Sequence, residues 1–117
     1  MRILITRFIL FVFLFLNCTV THAQALKLVH QAEAHVIKGE YAIAKERYLS
    51  ALKIDSGSYS ANEGLGLLLF EYLDEKDKAV PYLEKALSQV KATDTLPELY
   101  LAYAECCLLY TSPSPRD

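Results

Sequence analysis

The sequence predicts an all-α fold, an α-solenoid of antiparallel helical hairpins that follows an N-terminal signal peptide. Three observations predict it. Apolar residues recur at three- and four-residue spacing along five consecutive segments, the period of an amphipathic helix. A small, bulky, small pattern at Ala44, Tyr48 and Ala51 returns 35 residues later at Ala79, Leu83 and Ala86. No run alternates apolar and polar residues between turn signals, which argues against a sheet.

The first element is a targeting segment. Met1 to Arg7 carries two arginines, Phe8 to Leu16 is an unbroken run of nine apolar residues, and Asn17 to Ala25 is polar with small residues at its end. This is the layout of a secretory signal peptide, expected over residues 1–23 with cleavage after Ala23; a cut after Ala25 is the alternative. An uncleaved anchor is the rival reading, but a spanning helix needs about 20 apolar residues and Asn17, Cys18 and Thr19 interrupt this run. Lipidation of Cys18 is disfavoured because Asn17 stands where a small residue is required. The 53% apolar content of the 117 residues is inflated by this segment; the remainder has the composition of one small soluble domain.

Five helices are expected after it: Leu26 to Lys38, Tyr41 to Lys53, Ser60 to Leu73, Asp77 to Lys91, and Leu96 onward. Ser60 with Glu63, and Thr95 with Glu98, have the spacing of capping boxes, and Pro97 falls in a first turn where its missing N–H costs little. Gly66 inside a helix costs about 1 kcal/mol relative to alanine. A close approach by a neighbouring helix, suggested by Ala79 and Ala86, offsets that cost.

Together with Ala32 and Leu65-Gly66, which stand about 34 residues apart, these residues resemble the tetratricopeptide repeat. The second-helix half of that pattern is matched in both copies, and Gly39 with Tyr41 fits the inter-helix turn. The first-helix half departs from it. Leu28 and Asn62 replace the usual tryptophan, Gln31 replaces a leucine, Ser56 replaces the closing proline, and one residue is inserted near Asp74. The resemblance divides the chain into repeat 1 (residues 25–58), repeat 2 (59–93) and the first helix of a third repeat (94–106), about two and a half repeats.

Residues 107–117 break the helical pattern with Thr-Ser-Pro-Ser-Pro-Arg-Asp and resemble the translated adapter of a transposase-based sequencing library. The alternative is a natural Ser/Pro tail. On the adapter reading the authentic chain continues past Cys106, and the last helix, with Leu99, Tyr103 and Cys106, lacks the partner it should pack against. Cys106 is then the one cysteine left in the mature segment, which supports neither a disulfide framework nor a zinc site.

Catalytic chemistry finds no foothold. No phosphate loop, nucleophile elbow or Cys/His pair is present. His30 and His35 lie five apart, on different helix faces, whereas two zinc ligands on one helix usually lie four apart. Asp74, Glu75 and Asp77 cluster at a turn and read as a solvated loop. Leu26 to Glu105 holds nine Lys/Arg against thirteen Asp/Glu, a formal charge of −4 with the bases scattered, which disfavours a nucleic-acid partner. The tyrosines at 41, 48, 72, 82, 100 and 103 read as packing residues. No cofactor, metal or catalytic residue is expected.

In the repeat family the first helix of each hairpin lines a concave surface. The resemblance therefore implies a partner-binding face formed by Val29, Glu33 and Val36 from one repeat and Glu63, Leu67 and Phe70 from the next. Val29 and Glu33 occupy the places of the lysine and asparagine that grip a peptide carboxylate in some members, so a carboxylate clamp is not expected; a helical or extended segment with basic character suits the face better. Phrases such as Ala61-Asn62-Glu63-Gly64-Leu65-Gly66 are similar to the opening repeats of Bacteroidetes-type envelope proteins. The implied function is a protein-interaction scaffold, exported to the periplasm or cell envelope, with outer-membrane or peptidoglycan association through downstream domains. The competing expectation is the substrate-positioning part of a longer exported enzyme or sensor.

Overall fold

The computed structural model describes residues 1–90 and 97–111, with side chains described through residue 108. Among the described residues there are five helices: α1 (Arg2–Ile37), α2 (Tyr41–Ile54), α3 (Tyr59–Glu71), α4 (Lys76–Gln89) and α5 (Pro97–Thr111). No strand occurs among the described residues, so the chain is all-α. Thr95, expected to cap the last helix, lies outside the described residues.

α1 departs from the expectation. It does not begin near Leu26 but runs unbroken from Arg2 for 36 residues. Asn17 and Thr19 interrupt the apolar run without breaking the backbone, because short polar side chains can bond back onto the preceding turn. Asn17 Nδ2 donates to the Phe13 carbonyl at 2.6 Å, and the Thr19 hydroxyl to the Leu16 carbonyl at 2.9 Å. Residues 2–24 are exposed throughout, and packing begins at Ala25, which is buried. This exposed apolar stretch is long enough to cross a membrane by length and composition, and it is equally compatible with a signal sequence near the N-terminus.

The connections are short and their hydrogen bonds are accounted for. α1 ends at Ile37 and the chain turns at Gly39, whose φ of 77° is the left-handed conformation that glycine adopts without a Cβ clash. Gly39 N–H donates to the Val36 carbonyl and Glu40 N–H to the His35 carbonyl, closing the helix end. Thirty-five residues on, Asp74 takes the same left-handed place with φ 51°. One extra residue lies in this second turn, and the backbone absorbs it by wider loops: Leu73 N–H reaches the Leu68 carbonyl and Glu75 N–H the Leu69 carbonyl.

The cap of α3 is Ser58, not Ser60. Ser58 Oγ accepts from the Ala61 N–H at 3.4 Å, satisfying one of the free donors of the first turn. Asn62, in the usual tryptophan place, is buried and holds the same loop: its Nδ2 donates to the carbonyls of Ser58 (2.8 Å) and Ser56 (3.2 Å). Pro81 lies inside α4 beyond its first turn, but on the exposed side, where the freed carbonyl can meet water.

Packing joins α1 to α2 and α3, α3 to α2, α4 and α5, and α4 to α5. The ends meet pairwise. His22 on α1 lies 3.5 Å from Asp55 after α2, and Gln89 at the end of α4 donates to the Gly57 carbonyl before α3 at 2.8 Å. The core consists of alanines and a few bulky residues. Ala32, Ala44, Ala51, Ala79 and Ala86 are fully buried together with Leu65 and Leu83, and Tyr48 retains 3% of its exposure. Leu99 and Cys106 of α5 belong to this core and Tyr103 packs half-buried against it, so the residues expected to lack a partner have one.

A Cβ at Gly66 would sit 2.6 Å from Cδ2 and 2.8 Å from Cγ of Leu83, and 3.3 Å from its backbone nitrogen. Leu83 is buried and cannot swing clear. Gly66→Ala should therefore destabilise the fold by about 1–3 kcal/mol in urea denaturation, although alanine is the better helix former by about 1 kcal/mol. The double variant Gly66→Ala/Leu83→Ala should couple favourably relative to the sum of the two single changes; strict additivity would contradict the contact.

Candidate functional site

The six residues expected to face a partner divide in two. Val29 is 1% exposed and lies in the core, so it is not available at a surface. Its apolar type and helical spacing carry no signal that separates a lining position from a packed one. Glu33 is exposed on α1, while Val36 on α1 and Glu63, Leu67 and Phe70 on α3 are half-buried. Since α1 and α3 touch, these five residues occupy adjacent helices.

The two carboxylates act on one phenol. Tyr48, rising from α2, is pushed from an ordinary value near 10 up to about 12, first by burial, then by the negative charges of Glu33 and Glu63. Tyr59, one turn before Glu63, is also pushed to about 12, by burial and then by the charge and hydrogen bonding of Glu63. Glu33 Oε2 additionally lies 3.2 Å from His30 Nδ1. The arrangement can present negative charge beside apolar surface, and it holds two neutral phenols among those charges.

At the other end of the face, the Lys76 ammonium stands 5.1 Å from the centre of the Phe70 ring and 3.1 Å from Glu105 Oε1 on α5. Phe70 is thus half covered by a cation that α5 holds in place. Sequence reading missed Tyr59, Lys76 and Glu105. Tyr59 had a signal, its four-residue spacing from Glu63; the Lys76–Glu105 pair, 29 residues apart, had none.

The acidic turn is also more than a solvated loop. Glu75 is bound at 3.2 Å by Lys45 of α2 and at 2.8 Å by Lys78 of α4. These bonds hold its carboxyl below the ordinary carboxylate range, Lys78 contributing most and Lys45 next. Beside this bridge a groove of about 250 Å³ runs between α2 and α4, lined by Lys45, Leu49, Lys78, Pro81 and Tyr82.

His30 and His35 face separate glutamates, His35 Nδ1 lying 2.6 Å from Glu40 Oε2. Among the described residues no group of three or more His, Cys, Asp or Glu converges as metal ligands would. Cys106 is buried, and burial raises its thiol pKa. The tyrosines expected to pack do so in part: Tyr48 is buried and Tyr41, Tyr82 and Tyr103 pack half-buried against the core, while Tyr72, stacked on Tyr41 with centroids 4.6 Å apart, and Tyr100 remain 48% and 42% exposed.

Tyr48 gives a pH prediction with a definite sign. Its folded pKa is raised, so its contribution is complete below pH 10 and is lost as pH climbs from about 10 to 12. Two pKa units correspond to roughly 2–3 kcal/mol. Denaturant melts at stepped pH should show this alkaline loss, and Tyr48→Phe should remove the Tyr48 share of it. An identical pH profile in the variant would show that Tyr48 is not held neutral.

Comparison with family models, with characterised proteins and with solved structures finds no match to this chain.

Proposed function

We propose that the chain is a tetratricopeptide-repeat scaffold of the bacterial cell envelope, which binds a basic helical or extended segment of a protein partner on the face formed by α1 and α3. The observation that carries this reading is the convergence of Glu33 and Glu63 from those two helices, beside the half-buried side chains of Val36, Leu67 and Phe70. Such a face offers apolar contact for affinity and two carboxylates that select and orient a cationic segment.

Support for the repeat assignment is internal to the chain. α4 begins 35 residues after α2, and the left-handed turn residues Gly39 and Asp74 keep the same offset. The meeting of Gln89 at the end of α4 with Gly57 before α3 is what an antiparallel α3–α4 hairpin requires. In stacked repeats each unit buries its core against the next and leaves one continuous face for a ligand.

Export is proposed from the exposed apolar run Phe8 to Leu16 of α1, with Arg2 and Arg7 before it in the same helix. The preferred cut after Ala23 suits the packing, because it leaves Ala25, the first buried residue, inside the mature protein.

Selection from a displayed random-peptide library tests the binding face. Enriched peptides should combine Lys or Arg with apolar residues, bind more weakly as salt rises, and lose about tenfold or more in affinity to the Glu33→Lys/Glu63→Lys variant. Enrichment without charge preference, or equal binding to the variant, would sink the proposal.

A further inference from the structure

We infer that the groove between α2 and α4 is a second docking surface, which takes an extended segment of a partner protein in which apolar residues alternate with aspartate or glutamate. It lies apart from the α1–α3 face and does not depend on it.

The groove exists because α2 and α4 both pack on α3 and not on each other. Leu65 and Leu69 of α3 form its floor, and the helical period turns them away from Glu63, Leu67 and Phe70. The hollow of about 250 Å³ beside Lys45 and Lys78 adjoins one of about 300 Å³ beside Leu52, Ser56 and Lys85, and Pro81 with Tyr82 lines both. From one hollow to the next, the lining residues advance by about one turn on α4 and two on α2, a step of about 5–10 Å. Inward side chains of an extended segment recur at about 6.6 Å, which lies within that step.

Backbone chemistry also favours an extended occupant. Pro81 has no N–H, so the Asp77 carbonyl one turn earlier lacks its usual helical donor. Since the proline lines the groove, this acceptor borders its α4 wall, where an N–H of an extended segment can meet it. A docked helix, beyond its first turn, has already spent its N–H groups internally.

Charge selects the side chains. No carboxylate lines either hollow, and the side chains of Asp77 and Glu84 stand exposed outside them. At one end Lys45 and Lys78 share the single carboxylate of Glu75, which leaves an excess of positive charge and shows a carboxylate seated between two ammonium groups. At the other end Lys85 is exposed and forms no ion pair among the described residues. A segment of net negative charge thus carries a basic-rimmed apolar groove, which repels a basic ligand and attracts an acidic one. A second copy is the poorer occupant, because the connections from α1 through α4 are three or four residues long and offer no extended acidic run.

The test titrates a dye-labelled peptide of alternating leucine and aspartate against the full chain in mild detergent, read by fluorescence anisotropy. Saturable binding is expected, weaker as salt rises and about tenfold weaker for the same peptide with asparagine in place of aspartate. Lys85→Glu should weaken it about tenfold, while Arg47→Glu, the same charge change on exposed α2 surface off the groove, should leave it unchanged. Pro81→Ala gives the Asp77 carbonyl its missing donor, so it should raise the urea midpoint and yet weaken binding; unchanged binding there would overturn the extended arrangement. Absence of binding, equal binding of the asparagine peptide, or equal effects of Lys85→Glu and Arg47→Glu overturns the inference. So does octanoate that binds more tightly than the peptide and displaces it, which would make the groove a site for acyl chains. A dimer in sedimentation velocity that Lys85→Glu dissociates would overturn it too, making a second copy the occupant.

Discussion

The close approach of helices at residues with little or no side chain is the constraint on which the structure depends. At Gly64 a Cβ would lie 2.5 Å from the Tyr48 ring, and at Gly66 it would lie 2.6 Å from Leu83. These two glycines stand on one helix, α3, and admit a bulky side chain from the helix before it and from the helix after it. Both bulky residues are flanked in sequence by alanines with no exposed surface, so backbone meets backbone around each interlock. Removing the space at either glycine forces a buried side chain to move in an interior that has no slack. The core is small in volume and gains its cohesion from this fit more than from bulk.

Polar ties then fix how the interlocked helices are oriented. Glu75 draws Lys45 from α2 and Lys78 from α4 to one carboxylate. Lys76 joins α4 to α5 through Glu105 while covering Phe70. Asn62 satisfies two carbonyls of the α2–α3 loop from inside the core, where an unpaired amide would cost about 1–3 kcal/mol. The fold and the proposed binding face share these residues: Tyr48 is both the knob beneath Gly64 and the phenol on which Glu33 and Glu63 converge.

Much of this was legible because it is local or repeated. Helical periodicity placed α2, α3, α4, the start of α5 and the end of α1 to within a few residues, and the recurrence of Ala44, Tyr48 and Ala51 at Ala79, Leu83 and Ala86 gave the buried stripe of two of them. A close neighbour at Gly66 followed from the presence of a glycine where alanine would serve the helix better. What was not legible depends on contacts between distant residues or on competition between nearby ones. Ser58 and Ser60 are equally good caps by type, and only the path of the loop held by Asn62 selects Ser58. Glu75 looked like one of three turn carboxylates because its partner Lys45 is 30 residues away. Val29 and Val36 share a helical face by spacing, yet the first is core and the second half open. The unbroken α1 was not legible because the polar residues from Asn17 interrupt the apolar run, whereas the backbone continues through them, the Asn17 side chain bonding back onto the preceding turn.

The most direct measurement is a nuclear Overhauser spectrum of the chain with selectively labelled glycine, tyrosine and leucine. If bulky residues from two helices close onto α3, the α-protons of Gly64 should show contacts to the Tyr48 ring and an upfield ring-current shift, and those of Gly66 contacts to the Leu83 methyls. Absence of both sets of contacts in a folded, helical sample would mean that the helices pack in another register, and the account of the core and of the faces built on it would fall with it.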